Sequence, residues 1–353
     1  MRIEQLTFTR FIAAISIVIF HYGSGSSLFN NETVSFLFNQ ANIGVSYFYI
    51  LSGFVMVIAY GNKNKIDSGL YLKNRLARIY PVYFLAIFLI IAIRLFKEID
   101  YYNLLLNIFM FQTWIPEKAL TINTPGWSIS VELFFYILFP ILLNYLYSKK
   151  SLSKISYIII SFWIISQVIH HLLIYKIIHI PYYNIVDLAY HPIMHLNQFL
   201  VGNLAGLFFI NKLKEKQHNY FLIISVIILS IIILLKYPIG LNFHNGLLAI
   251  LFVPLILFIS LSNGYISKLT SKKPFVFLGE ISFGIYILQA PVWIIFSDYR
   301  LNKYLGLDKN IDFTKAFFLR LVILIFLSII SYIYFEKPLR NKIKKVSLTK
   351  SEG

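Results

Sequence analysis

The chain has 353 residues, of which 58% are hydrophobic and 13% are charged. Soluble globular proteins average about 45–50% apolar and about 25% charged residues, so this composition excludes an ordinary soluble protein. The chain contains no cysteine, which excludes disulfides, thiolate metal sites and cysteine nucleophiles within it. With a mean hydropathy of +0.71, it is predicted to be a polytopic membrane protein.

Ten apolar segments are long enough to cross a bilayer as helices, which predicts an all-α fold. They lie at 8–23, 42–60, 79–96, 127–147, 155–175, 193–211, 219–236, 244–261, 276–297 and 315–335. A further apolar stretch at 101–114 is short, and we expect it to be re-entrant or interfacial. Since no repeat or long linker is visible, we expect one transmembrane domain over 1–340 and a basic cytoplasmic tail over 341–353.

The charge pattern predicts how the helices are oriented. Lysine and arginine outnumber aspartate and glutamate by 32 to 15, for a net charge of +17 at pH 7. They are concentrated in the even-numbered loops, at Lys63, Lys65, Lys73, Arg75, Arg78, Lys149, Lys150, Lys154, Lys212, Lys214, Lys216, Lys268, Lys272 and Lys273. Loops rich in lysine and arginine lie on the cytoplasmic side of a membrane. With the even-numbered loops inside and ten spans, both termini are expected in the cytoplasm. Nucleic acid is not an expected partner, because no basic motif is interleaved with aromatic residues.

The first apolar segment carries two ionisable residues, Arg10 and His21. Eleven positions of helix place both on one face, roughly 16 Å apart. Such a pair could meet an anionic cofactor at one end and transfer protons at the other. Alternatively, Arg10 reaches the inner headgroups and His21 caps the helix. We expect an uncleaved anchor here, since a cleaved signal core would not normally carry these residues.

Glu132 follows the turn at 124–126 and lies in the first two turns of an otherwise apolar helix, on the same face as Ser128. A carboxylate at membrane depth is costly unless a partner compensates its charge. We expect Glu132 to pair with a histidine or arginine of another helix, with His21 as the candidate. The alternative is an interfacial glutamate exposed to headgroup water.

Arg75 and Arg78 stand at the cytoplasmic mouth of the third predicted span, within about 60° of each other if the backbone is helical. Arginine forks suit phosphates, so they indicate a nucleotide-like cofactor. The simpler alternative is that they are ordinary positive-inside residues.

Three further patterns are less specific. Ser282, Tyr286 and Gln289 form one polar helix face, which is expected to line a cavity or join helices. His191 and His195 have a metal-like spacing, but no zincin-type carboxylate lies beside them, so packing is favoured and no metal is expected. Small residues at 202 and 206 predict a close helix contact.

Several segments, met in order along nearly the whole chain, resemble motifs of the acyltransferase type 3 family of bacterial membrane O-acyltransferases. Arg10 and His21 resemble its Arg/Lys, ten residues, His signature. The segments 44–54, 71–81, 127–136 with Pro140, and 281–291 are similar to its later helix motifs. Gln289 stands where many members have histidine.

The resemblance implies a ten-helix enzyme of the bacterial inner membrane. It would transfer an acyl group, usually acetyl, from cytoplasmic acetyl-CoA or another acyl-CoA to a hydroxyl of an extracytoplasmic glycan or lipid-linked saccharide. His21 would be the general base, with Glu132 as its orienter. The residues implied to face the CoA are Arg10, Arg75 and Arg78. Those expected on the substrate side are Trp127, Ser128, Ser282, Tyr286 and Gln289.

No hydrolase-like domain is expected after the tenth helix, so the core would act alone or with a separate partner. The main alternative is a transporter or flippase for a lipid-linked saccharide, which would also have a basic inner mouth and polar helix faces. The sequence does not fix the acceptor, the direct or acyl-enzyme route, or the oligomeric state.

Overall fold

The computed structural model describes residues 3–93, 99–308 and 311–348, with side chains described up to 343. Residues 94–96 of the third predicted span and 349–353 of the predicted tail lie outside these ranges. Within them the chain is all-helical, with 75% of residues in helices and no strand.

Sixteen α-helices follow one another in the described ranges. They are α1 (Gln5–Tyr22), α2 (Ser35–Phe38), α3 (Ile43–Tyr60), α4 (Ser68–Ile93), α5 (Tyr101–Ile108), α6 (Trp127–Leu142), α7 (Leu152–Ile174), α8 (Ile185–Tyr190), α9 (Pro192–Phe208), α10 (Phe221–Lys236), α11 (Ala249–Leu261), α12 (Tyr265–Thr270), α13 (Lys273–Ile295), α14 (Asp298–Leu305), α15 (Phe313–Ser331) and α16 (Lys337–Leu348). Short π-helical turns extend α6, α9 and α15.

Eight helical segments in the described part of the chain are long and apolar enough to cross a membrane, which indicates a multi-pass membrane protein. They match eight of the ten predicted spans. The other two correspond to the shorter helices α10 and α11. The predicted segment at 101–114 forms the eight-residue α5 and a 3-10 turn at Gln112–Trp114, which is too short to span as one helix.

Two predicted helix starts were wrong. α4 begins at Ser68 rather than at 79, because its polar first turns continue the helix without a break, so Arg75 and Arg78 lie inside it. α11 begins at Ala249 rather than at 244. The preceding residues form an irregular segment, in which the His244 amide donates to Asn242 Oδ1 (2.9 Å).

The chain comprises two compact units. The first comprises Met1–Ala13, Asn42–Ser68 and Val131–Gly279, and the second Ala14–Ala41, Gly69–Ser130 and Glu280–Gly353.

The core of the first unit is the contact between α3 and α9, which glycine makes possible. A Cβ atom on Gly202 would lie 2.1 Å from the Ile50 carbonyl oxygen, and one on Gly53 would lie 2.2 Å from that of Phe199. Helix backbones approach this closely only where small residues line the interface. The predicted contact at 202 and 206 is confirmed.

A buried polar layer ties α7 and α9 to the segment between α10 and α11. His170 Nδ1 lies 2.8 Å from Asn245 Nδ2, and Gln198 Nε2 donates to Asn245 Oδ1 (3.3 Å). The amide of Gln167 donates to the Asn245 carbonyl (2.8 Å). Asn245 of this irregular segment therefore has its carbonyl and its side-chain amide satisfied by side chains of the helices.

In the second unit, buried amides hold the chain between α5 and α6. Gln112 Nε2 donates to the Gly126 carbonyl (3.0 Å) and to the Tyr83 hydroxyl (3.2 Å). Asn123 Nδ2 donates to the Ile287 carbonyl of α13 (3.2 Å). These bonds fix the turn that precedes α6.

Candidate active site

Helix α1 carries both ionisable residues of the first predicted span in one continuous helix. Arg10 is half-buried, and His21 is exposed one residue before the helix ends. The helical spacing assumed for the pair is therefore confirmed. Neighbouring Thr9 bonds the Tyr47 hydroxyl (2.5 Å).

The His21 ring is held by Gln289 of α13. Nδ1 of His21 lies 2.9 Å from Oε1 of Gln289, whose Nε2 donates to the Tyr286 carbonyl (2.6 Å). Because a carbonyl oxygen only accepts, the amide nitrogen must face Tyr286 and the amide oxygen must face His21. His21 Nδ1 therefore carries the hydrogen, and Nε2 of the neutral ring is left as a proton acceptor.

Glu132 lies in the first unit and His21 in the second, and their predicted pairing stays a prediction. Glu132 Oε1 accepts hydrogen bonds from the Ser52 hydroxyl (3.2 Å) and from the Tyr136 hydroxyl (2.5 Å). The half-buried carboxylate is thus solvated by two hydroxyls rather than by a cation. Within the second unit, the His21 ring bonds the neutral amide of Gln289.

A cavity of about 600 Å³ is lined by Tyr22 and Ala290, the residues that follow His21 and Gln289 in sequence. Tyr22 and Trp293 stack in its wall, with ring centroids 4.2 Å apart. Polar groups lie in the same wall, at Asp100, Asn103, Thr121 and Thr124. The volume is in the range of small-molecule sites.

Sequence reasoning missed the residues that support this wall. Arg320 of α15 is buried, donates to the Phe296 carbonyl (2.6 Å) and pairs with Asp298 (2.6 Å). Its guanidinium also lies 5.9 Å from the Trp293 ring centroid. The signal was present, since an arginine inside an apolar span is a default candidate for a functional or supporting role.

Arg75 and Arg78 lie on α4 and are both half-buried. The Arg75 guanidinium sits 5.5 Å from the ring centroid of Tyr71. Among the described residues, Arg78 has no hydrogen-bonding or ion-pair partner. Their donors are compatible with a phosphate-rich ligand.

The predicted substrate-side residues fall into two groups of the second unit. Trp127 opens α6, and buried Ser128 donates to the Pro125 carbonyl (3.1 Å). Ser282 and Tyr286 are both buried on α13, on the face that leads to Gln289. That polar face therefore leads directly to His21.

The histidines with metal-like spacing have structural bonds. His195 Nε2 lies 2.9 Å from the Ala189 carbonyl and Nδ1 lies 3.0 Å from Gln198 Nε2, while His191 accepts from the Ile193 amide (3.4 Å). Both histidines make hydrogen bonds within α8, α9 and the turn between them, as the packing interpretation predicted. In the described residues no cluster of three or more His, Cys, Asp or Glu is placed to hold a metal ion.

Comparison with known proteins adds to this geometry. The profile of the acyltransferase type 3 family, described as an acyltransferase domain, matches residues 3–336. The chain belongs to this family. The family predicted from the motifs is therefore confirmed.

Curated relatives carry matching names at low identity. O-acetyltransferase OatA of Staphylococcus aureus is 22% identical over 94% of this chain and 56% of its own length, and putative peptidoglycan O-acetyltransferase YrhL of Bacillus subtilis is 24% identical over 94% and 54%. Acyltransferase MdmB of Streptomyces mycarofaciens is 29% identical over 40% of this chain and 39% of its own length. The chain spans about half the length, or less, of these relatives. No solved structure is significantly similar.

Proposed function

We propose that this protein is a membrane O-acyltransferase that moves an acyl group, acetyl in the first instance, from cytoplasmic acyl-CoA to a hydroxyl of an extracytoplasmic glycan or lipid-linked saccharide. One observation carries the proposal: His21 is exposed, its Nδ1–H is held by Gln289, and its Nε2 is a proton acceptor. A fixed tautomer with an accessible basic nitrogen is what a general base requires.

In the proposed reaction, Nε2 of His21 takes the proton of the acceptor hydroxyl as that oxygen attacks the acyl carbonyl. The new O–C bond forms as the bond from the acyl carbon to the departing group breaks, and the departing sulfur of CoA takes up a proton in the direct route. The imidazolium then gives up its proton and the base is restored. The neutral amide of Gln289 fixes the ring without adding a negative charge beside it.

The cavity beside His21 is the proposed acceptor site. Stacked Tyr22 and Trp293 offer apolar faces, while Asp100, Asn103 and the threonines of the wall offer hydrogen-bonding groups. Sugars present both kinds of surface, because their hydroxyls donate and accept while their C–H faces are apolar.

The donor is assigned to the arginines. Arg78 lacks a partner among the described residues and Arg75 shares its side of α4, so both are suited to the phosphates of CoA. Arg10 of α1 is proposed to bind acyl-CoA, as the family resemblance implies.

Glu132 is proposed to contribute its charge to the reaction. Its carboxylate is half-buried in a membrane-spanning segment, and such groups default to functional roles. Ser52 and Tyr136 solvate it without neutralising its charge.

We infer ten spans in a bacterial cytoplasmic membrane, with both termini in the cytoplasm. Eight helices in the described residues are long enough to span, and the shorter apolar helices α10 and α11 would supply the other two. The orientation is supported by the lysine and arginine residues, which are concentrated in the even-numbered loops. This orientation leaves the arginines of α4 facing the donor side and the end of α1 facing outward.

The proposal is tested by placing the purified protein in proteoliposomes with radiolabelled acetyl-CoA and a cell-envelope extract. An acyltransferase moves label into envelope glycan and releases CoA. A transporter would instead move an acceptor lipid across the bilayer without any acyl donor. If labelled acetyl-CoA is neither bound nor consumed with the extract present, the proposal is wrong.

A further inference from the structure

A second cavity in the second unit is an apolar groove of about 950 Å³ between α4 and the chain from Phe335 to Ile343. One wall is a row of α4 residues that includes Leu76, Tyr80, Phe84 and Phe88. The other wall is formed by Phe335, Leu339 and Ile343. Both α4 phenylalanines and the first two residues of the other wall are exposed to the surroundings of the protein. The groove therefore opens outward from a membrane-spanning helix.

The groove is separate from the proposed donor site. At 100° per residue, Arg75 and Arg78 lie about 200° and about 140° round α4 from Lys73, which lines the groove. The two arginines therefore face away from it. Helix α4 thus has an arginine side and a groove side.

Charge is confined to one end of the groove. Lys73 is its only charged lining residue among those described, in the second turn of α4. Lys342 is exposed and lies about 60° round α16 from Leu339. Neither lysine has a hydrogen-bonding or ion-pair partner among the described residues. From this end, the α4 wall continues to Phe88 without another charge.

The dimensions suit a chain molecule. From Lys73 to Phe88 helix α4 rises about 22 Å, which exceeds one leaflet of a hydrocarbon core about 30 Å thick. A ligand that fills the groove must therefore be apolar along most of its length and anionic at one end. The lysine end is on the expected cytoplasmic side, where the leaflet carries anionic lipids.

We propose that this groove binds an anionic phospholipid of the cytoplasmic leaflet. An acyl chain lies along Leu76, Tyr80 and Phe84, and the headgroup phosphate lies between Lys73 and Lys342. The lipid fills the space between α4 and α16 and so braces the basic C-terminal helix against the membrane.

Native mass spectrometry of the full chain in detergent tests this site with two probes, phosphatidylglycerol and phosphatidylcholine with identical acyl chains. The wild type is expected to bind phosphatidylglycerol about 25-fold more tightly than phosphatidylcholine, about fivefold for each lysine. In Lys73→Gln/Lys342→Gln this preference should disappear. The matched control Lys150→Gln/Lys154→Gln removes two exposed lysines of another expected cytoplasmic loop and should keep it.

A groove-filling variant separates the chain from the headgroup. Leu76→Trp should reduce binding of both lipids, because its ring occupies the path of the acyl chain. Equal affinity of the wild type for the two lipids would overturn the proposal. So would a Lys73→Gln/Lys342→Gln protein that still prefers phosphatidylglycerol.

Discussion

Replacing Gln289 by leucine removes the group that holds the His21 ring while keeping the side-chain volume similar. Two hydrogen bonds are lost, from His21 Nδ1 (2.9 Å) and to the Tyr286 carbonyl (2.6 Å). The exposed imidazole can then turn and exchange tautomers with water as its partner. The protein should still fold, because His21 is exposed and its freed nitrogen is solvated.

The expected loss is moderate. A net contribution of about 1–2 kcal/mol for an orienting hydrogen bond corresponds to a kcat about 5–30-fold lower. Loss of a carboxylate partner that fixes a tautomer costs more in serine proteases, but Gln289 is neutral. KM for the acyl donor should stay within about twofold, since the donor is assigned to α4 and not to this pair.

Steady-state acyl transfer by purified variants measures this effect. Gln289→His should restore much of kcat, because an imidazole also offers one acceptor and one donor. Ser328→Ala is the control: its hydroxyl is buried on α15 and donates to the Leu324 carbonyl of its own helix (2.7 Å). A well-folded Gln289→Leu protein with the wild-type kcat, or an equal loss in Ser328→Ala, would refute the orienting role.

Three other substitutions test separate parts of the structure. Arg78→Ala should raise KM for acyl-CoA about tenfold with little change in kcat, since a phosphate contact is lost; an unchanged KM would remove the donor assignment. Gly202→Val should lower the unfolding free energy by about 1–3 kcal/mol or more, because the valine side chain meets the Ile50 carbonyl. The melting temperature should fall accordingly, and an unchanged melting temperature contradicts this packing. Glu132→Gln keeps an acceptor for the Tyr136 hydroxyl but loses the negative charge. The rate of acyl transfer should therefore fall at least tenfold at constant melting temperature. Retained activity would show that the charge is not used.

Much of the fold follows from hydropathy alone. Each of the ten predicted apolar segments contains a helix in the described residues, because a bilayer requires backbone groups to be satisfied within each segment. Helix ends were harder to place. α4 starts at Ser68 because polar residues such as Lys73 and Arg75 are good helix formers, a property that hydropathy does not register.

The candidate site was predictable in its parts but not in its pairings. His21 and Glu132 stood out because ionisable groups are rare in apolar spans. Spacing along one helix says nothing about which other helix packs against it, and so the contact between Gln289 and His21 was not predicted. The polar face of α13 was visible in the sequence, and its last member, Gln289, provides the contact. Arg320 was visible by the same criterion as His21 and was overlooked.

The central claim is that His21 is the general base of an acyl transfer, and one measurement tests it most directly. Wild type and His21→Ala are compared for transfer of radiolabelled acetyl from acetyl-CoA to envelope acceptor, with binding of the donor measured on the same samples. Transfer by His21→Ala should be about 10²–10⁴-fold slower than by the wild type, with donor binding unchanged. A His21→Ala protein that transfers acetyl within about threefold of the wild-type rate would contradict it.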